Sequence, residues 1–155
     1  MEGEEDLAKA VSRSGEAGEA LGGPLIYVLV LLFSTLGFWT NNFVGVTAIC
    51  IMSIGDGLAD IVGRRLGKNN KWKFSPDKSI AGTLAFIAGS TLGSITISSW
   101  LDYTGAILLP FPMAGMVTRL FLICSICAFV ELFPIIDDNV SVPVSAMLLS
   151  SLLLM

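Results

Sequence analysis

Charge is scarce in this sequence. Only 14% of its 155 residues are charged, against about 25% in a soluble domain. Hydrophobic residues make up 54%, and the mean hydropathy is +0.78. Such a chain cannot cover a water-facing surface, so a soluble globular fold is excluded. Histidine is absent, and there are three cysteines. Cys50, Cys124 and Cys127 all lie in apolar runs, and an odd count with no loops to staple argues against a disulfide framework. Cys124 and Cys127 have the spacing of a metal or redox pair, yet inside an apolar run they read as small residues of a membrane helix. The chain does not open on a basic stretch followed by an apolar core, which excludes a signal peptide. Its start is too acidic for a transit peptide.

What is present in quantity is uncharged length. No charge occurs from Ala20 to Gly55, 36 residues, nor from Ser79 to Leu101, another 23. A membrane-crossing helix needs ~20 apolar residues. The expected fold is all-α, a polytopic membrane helix bundle of about four or five transmembrane helices. Residues 1–20 read as an acidic disordered tail: Glu2, Glu4, Glu5, Asp6, Glu16 and Glu19 stand against Lys9 and Arg13, a balance of −4 that equals the net charge of the whole chain. Residues 21–155 read as one membrane-embedded domain. Spans are expected over Pro24 to Trp39, from Phe43 into DGLADIVGRR with a stop at Gly67, over roughly Pro76 to Trp100, and over Val140 to Met155. In the third span Ser75 is the expected N-cap, with Pro76 at the first helical position and Asp77 in the first turn. Ala81, Ala85, Gly89 and Gly93 recur every four residues there, a small-residue stripe that lets another helix come close. Pro110 and Pro112 break the next apolar stretch, so it is read as an interfacial loop followed by one span of about Met116 to Ile136. That choice places Glu131, Asp137 and Asp138 on the side of the basic residues and leaves Arg119 alone near the other. Excess Lys and Arg marks the cytoplasmic side or its organellar equivalent.

The charges that remain are grouped. Asp56 and Asp60 are four apart and share a helix face, which Arg64 continues. Ionisable groups at membrane depth are costly and usually functional. Two carboxylates on one face suit a hard cation such as Mg2+, which is commonly held by one or two carboxylates plus substrate phosphates. A plain ion pair is the alternative for Asp60 and Arg64, and it leaves Asp56 unexplained. Lys78 and Ser79 at a helix start would suit a phosphate, within reach of Arg64 and Arg65, and Gly82 would allow a close approach to the backbone. Lys68, Lys71 and Lys73 read instead as anchors to anionic headgroups. Glu131, Asp137, Asp138 and Asn139 form a second set of oxygen ligands. Acids for a metal, bases for phosphate and a hydrocarbon-lined space form the inventory of phosphoryl transfer to a lipid. No Walker GxxxxGK[ST], Gly-rich kinase loop, HRD or DFG is present, which excludes a soluble kinase fold. A transporter subunit is the reading from another class. Against it, acids and bases gather at one face instead of running through the spans.

Three motifs carry a resemblance. GDGLADIVGRRLG, then SPDKSIAGTLAF, then ELFPIIDDNVSVP, preceded by the span GGPLIYVLVLLFSTLGFW, resemble the polyprenol kinase family of membrane enzymes, on the side of its plant phytol and farnesol kinases. The likeness runs roughly from Gly22 to Ser150. It implies transfer of the γ-phosphoryl group of CTP to the hydroxyl of a long isoprenoid alcohol. Phytol is the expected acceptor, with farnesol, geranylgeraniol, dolichol or diacylglycerol as alternatives. It points to Asp56, Asp60 and Glu131 as catalytic residues and to Arg64, Arg65, Lys78, Ser79 and Gly82 for the nucleotide. Asp56, Asp60, Asp137, Asp138 and Asn139 are the implied Mg2+ ligands. The implied partners are the alcohol, CTP and the lipid bilayer, with no nucleic acid. The implied place is a chloroplast membrane, or alternatively the endoplasmic reticulum. Family members carry several more N-terminal spans, so the chain reads as an N-terminally incomplete kinase domain, with a truncated, inactive relative as the alternative.

Overall fold

In a lipid phase every backbone N–H and C=O must find its partner inside the chain, so apolar runs of this length fold as helices. The computed structural model describes residues 17–38, 42–133 and 138–155, and among these residues helix is the only regular structure apart from an isolated antiparallel bridge between Lys71 and Ser79. Helix α1 is Ala17–Gly37. Helix α2 (Asn42–Cys50) runs into a π-helical segment, Ile51–Asp56, and on into α3 (Gly57–Leu66). Helices α4 (Ile80–Tyr103), α5 (Met113–Leu132) and α6 (Asp138–Leu154) follow. Phe43–Leu66, α4 and α5 are long and apolar enough to cross a membrane, and Leu25–Gly37 and α6 are shorter apolar helices. The polytopic all-α bundle expected from hydropathy is the fold. Helix α1 takes in residues 17–20, which the sequence reading gave to the tail. Residues 1–16, the turn at Thr40 and Asn41, and Asp137 lie outside the described residues.

The core lies where α2, the π segment, α4, α5 and α6 meet. Ile51, Phe86, Met116, Leu120, Ile123, Cys124, Cys127 and Ala146 are buried there. The outward positions are apolar as well, with Leu32, Phe33, Leu36, Leu92, Phe129 and Leu148 exposed, as a lipid-facing surface requires. With lipid outside, burial of apolar surface does not by itself drive the helices together, and close packing at small residues does. The second half of the small-residue stripe has that task. A Cβ on Gly89 would press on Leu58, and one on Gly93 on Ile54. Helix α1 is joined to the rest by a hydrogen bond between Tyr27 and Ser53 hydroxyls (2.6 Å) and by Ser34 against the Met147 sulfur.

The start of α4 differs from the expectation. Its N-cap is Ser79, whose Oγ accepts from the Gly82 N–H at 3.1 Å. Ser75, Pro76 and Asp77 instead form a turn, closed by the Lys78 N–H donating to the Ser75 carbonyl (3.1 Å). The bridge explains the shift: Trp72 N–H donates to the Lys78 carbonyl and Ile80 N–H to that of Asn70. These bonds tie the turn and the extended Ser79 to the preceding loop, so the helix begins four residues later. Lys78 therefore lies just before the helix, not in its first turn.

At the other end of α4, Thr104 to Pro112 is a non-helical loop, and one helix, α5, follows it. Asp102 accepts from the Leu109 N–H at 3.0 Å. Gly105, at φ +71, supplies the left-handed residue of the turn, where glycine carries no Cβ penalty. Arg119 caps this end with its guanidinium 3.7 Å from the centre of the Phe111 ring.

Gly67 ends α3 as expected, but for a different reason. Its backbone is right-handed (φ −85, ψ −5), so no positive φ demands glycine. A Cβ would collide with the Gly63 carbonyl and the Ser79 hydroxyl. Gly67→Ala should destabilise the bundle by ~1–3 kcal/mol, the usual cost of overpacking. Gly57→Ala, which meets nothing within 4 Å, should be neutral or slightly stabilising. Thermal unfolding of the two variants in detergent checks the contrast, and equal stability would contradict this packing.

Candidate active site

The second carboxylate motif and the Lys-Ser motif meet in space. The Lys78 ammonium donates to Glu131 Oε1 at 2.6 Å and to Asp138 Oδ2 at 2.8 Å, partners 53 and 60 residues away in sequence. Glu131 lies in the last turn of α5 and Asp138 opens α6, so one side chain from the loop before α4 clamps both. The Lys78 side chain is 19% exposed and that of Glu131 7%. Aromatic stacking fixes the loop in place. Phe74 stacks on Phe133, with centroids 5.2 Å apart, and Trp72 tilts onto Phe74. Trp72 Nε1 also donates to Thr83 Oγ1 at 3.0 Å.

Glu131 and Asp138 line a pocket together with Asp56 and Asn139, and its apolar wall is Met52, Phe86, Val142 and Pro143. Asp56 reaches it from the last residue of the π segment. An i→i+5 stretch shifts the phase of the residues that follow, and such stretches are frequent at functional sites.

The expected site residues divide accordingly. Asp56, Glu131, Asp138 and Asn139 come together, with Lys78 held against two of them. Asp60 does not line the pocket. Its Oδ1 accepts from Arg64 Nε at 2.8 Å on the exposed side of α3, the ion pair that four-residue spacing permits. Arg64 and Arg65 are exposed and line no part of the pocket. Ser79 and Gly82 are used in the capping bond, and Gly82 packs where α3 crosses: a Cβ there would lie 3.1 Å from the Ala59 carbonyl. The close approach expected at Gly82 is thus made by a helix. Asp137 lies outside the described residues. The apolar wall was not singled out in the sequence. A four-residue step back from Asp56 reaches Met52, and one forward from Asp138 reaches Val142, so helical spacing was the available signal. Cys50, Cys124 and Cys127 are free and buried in the apolar core.

Among the described residues no three Asp, Glu, Cys or His side chains form a ready metal site. The donor chemistry of the pocket nonetheless suits a hard divalent cation, which takes oxygen ligands and can rely on one or two carboxylates when phosphates supply the rest. A cation already stands against two of these carboxylates, the Lys78 ammonium.

With three membrane-length helices and an acid-lined pocket among them, the chain is a polytopic membrane protein. Comparison with known proteins places it more narrowly. It is 42% identical over 97% of its length to a wheat (Triticum aestivum) protein named probable phytol kinase, chloroplastic, and covers 50% of that protein. A maize (Zea mays) protein of the same name is 40% identical over 97% of the chain, which covers 50% of it. Phytol kinase 1, chloroplastic, of Arabidopsis thaliana is 38% identical over 92% of the chain, which covers 47% of it. No protein-family model matches the chain, and no solved structure does. Over nearly its whole length the chain is similar to plant proteins named phytol kinase, and it spans about half the length of the curated relatives it matches. The relatives' chloroplastic names and the membrane-length helices fit an integral chloroplast membrane protein.

Burial works to strip the Lys78 ammonium of its proton, but the charge of Glu131 and the hydrogen bonds to Asp138 and Glu131 outweigh it, leaving Lys78 above its ordinary 10.5. The folded value lies above the unfolded one. The pair's contribution to stability is therefore complete below the unfolded lysine value of ~10.4 and is lost as pH rises through the folded value. In detergent, the unfolding free energy should carry this alkaline loss. Lys78→Met should abolish the alkaline loss and cost ~3 kcal/mol at neutral pH by stranding the buried Glu131 carboxylate. Unchanged stability would contradict the clamp.

Proposed function

We propose that the chain carries the phosphoryl-transfer site of a phytol kinase, moving the γ-phosphoryl group of a nucleoside triphosphate, CTP by preference, to the hydroxyl of phytol or a similar isoprenoid alcohol. One observation supports this most: a pocket where three carboxylates and an amide meet an apolar wall. A lipid alcohol presents that combination, a polar end to be phosphorylated and a hydrocarbon tail to be kept in the bilayer. The names of the relatives support phytol as that alcohol.

Asp56, Asp138 and Asn139 would hold Mg2+, with Asp137 beside them in the sequence. Bound there, the ion would neutralise charge on the phosphate oxygens of CTP. Lys78 would reach the same phosphates through its flexible stem. Arg64, held by Asp60, and Arg65 stand on the α3 side to draw the nucleotide in. Glu131, the most buried acid of the pocket, would receive the hydroxyl proton as the alcohol oxygen bonds to the γ-phosphorus. The bond from that phosphorus to the bridging oxygen breaks, leaving CDP and the alcohol monophosphate. Met52, Phe86, Val142 and Pro143 would align the first carbons of the chain and exclude water. Little covalent work is asked of the protein, which suits a transfer governed by positioning and charge neutralisation.

The test is phosphate transfer in membranes holding this chain. Labelled CTP and ATP are supplied with Mg2+, and phytol, geranylgeraniol, farnesol and diacylglycerol are offered in parallel. Label should pass from CTP to phytol, and Glu131→Gln should lower turnover by ~100-fold or more while inserting normally. A folded chain that labels no alcohol from either nucleotide would overturn the reading, and labelling of diacylglycerol alone would overturn the choice of substrate.

A further inference from the structure

The arrangement of Lys78 raises a question that the proposed reaction leaves open. Glu131 and Asp138 are the acids the reaction needs unencumbered, one for a proton and one for a cation. Both are engaged by the same ammonium, at 2.6 and 2.8 Å. Leaving Glu131, whose side chain is 7% exposed, without a counter-charge would be costly, since an uncompensated buried charge destabilises a fold strongly. A cation facing Glu131 is therefore favoured both before and after the nucleotide arrives. The Lys78 backbone is pinned by two hydrogen bonds, its N–H to Ser75 and its carbonyl from Trp72, while its four-carbon stem can turn. The side chain can thus leave the acids without any helix moving.

We propose that Lys78 is the pocket's built-in counter-ion, and that it gives up Asp138 and Glu131 only in exchange for a divalent cation arriving with the nucleotide. The inference rests on the reading of this pocket as a phosphoryl-transfer site. Lys78 holds the acids in the ligand-free protein and excludes a lone divalent ion from them. When the nucleotide enters with its cation, Asp138 passes to that cation, Lys78 turns to the phosphates, and Glu131 becomes able to take a proton. The site is thereby assembled only in the presence of the phosphoryl donor.

The experiment measures Mn2+ binding to the chain in nanodiscs without nucleotide, by electron paramagnetic resonance and by the shift in thermal unfolding. The unmodified chain should bind Mn2+ weakly. Lys78→Met should bind it at least ~10-fold more tightly, a change of about 1.4 kcal/mol, and Lys78→Arg should stay weak because a cation remains. Adding Asp138→Asn to Lys78→Met should remove the gain. If Lys78→Met does not stay folded, the reading becomes its recovery on adding Mn2+. Recovery of the unfolding temperature supports the exchange, and no recovery overturns it. Equal Mn2+ affinity with and without Lys78 also overturns it. The two proposals fail separately: a chain that shows the exchange but transfers no phosphate sinks the kinase reading alone, and a chain that transfers phosphate with no effect of Lys78→Met on Mn2+ sinks the exchange alone.

Discussion

The ion cluster of Lys78 with Glu131 and Asp138 is the joint on which the polar end of the bundle depends. Hydrocarbon surroundings do not tolerate an isolated carboxylate, so Glu131 at the end of α5 must be met by a cation. The cation that meets it comes from the loop before α4 and also holds the first residue of α6. One side chain thus ties the ends of three helices, and the pocket lies among the groups it gathers. The surrounding features hold Lys78 in register: the Lys71 to Ser79 bridge, the turn at Ser75, the capping bond of Ser79 and the stack of Phe74 on Phe133. The close crossing of α3 and α4 at Gly63, Gly67 and Gly82 brings the loop down onto the acids.

The bundle follows from length and hydropathy, because a backbone in lipid has few other ways to satisfy itself. The break at Pro110 and Pro112 was legible for the same kind of reason. Proline cannot continue a helix interior, and a single helix, α5, then returns Glu131 to the basic end, where Lys78 meets it. The start of α4 was misplaced by four residues because Ser75-Pro76-Asp77 and Ser79 both satisfy the local rules for a cap. The choice between them is made by hydrogen bonds to Asn70 and Trp72, six to ten residues back and beyond the reach of a capping rule.

The site was half legible. Asp56, Lys78, Glu131, Asp138 and Asn139 stood out as charged or polar groups at the edges of apolar runs, and they converge. Asp56 and Asp60 looked equivalent by spacing, yet only Asp56 lines the pocket. The π segment ends at Asp56, and a change of helix type is not written in a four-residue period. The pairing of Lys78 spans 53 and 60 residues, beyond any local pattern. The apolar wall was hidden for the opposite reason. In a chain that is 54% hydrophobic, four more apolar residues carry no signal until the fold puts them beside acids.

The measurement that tests the joint most directly is a double-mutant cycle on unfolding free energy, combining Lys78→Met with Glu131→Gln in the full chain. The two side chains touch, so the account predicts strong coupling, with the second substitution restoring ~1 kcal/mol or more of what the first removes. Effects that simply add would contradict it and leave the polar end of the bundle to be explained by some other interaction.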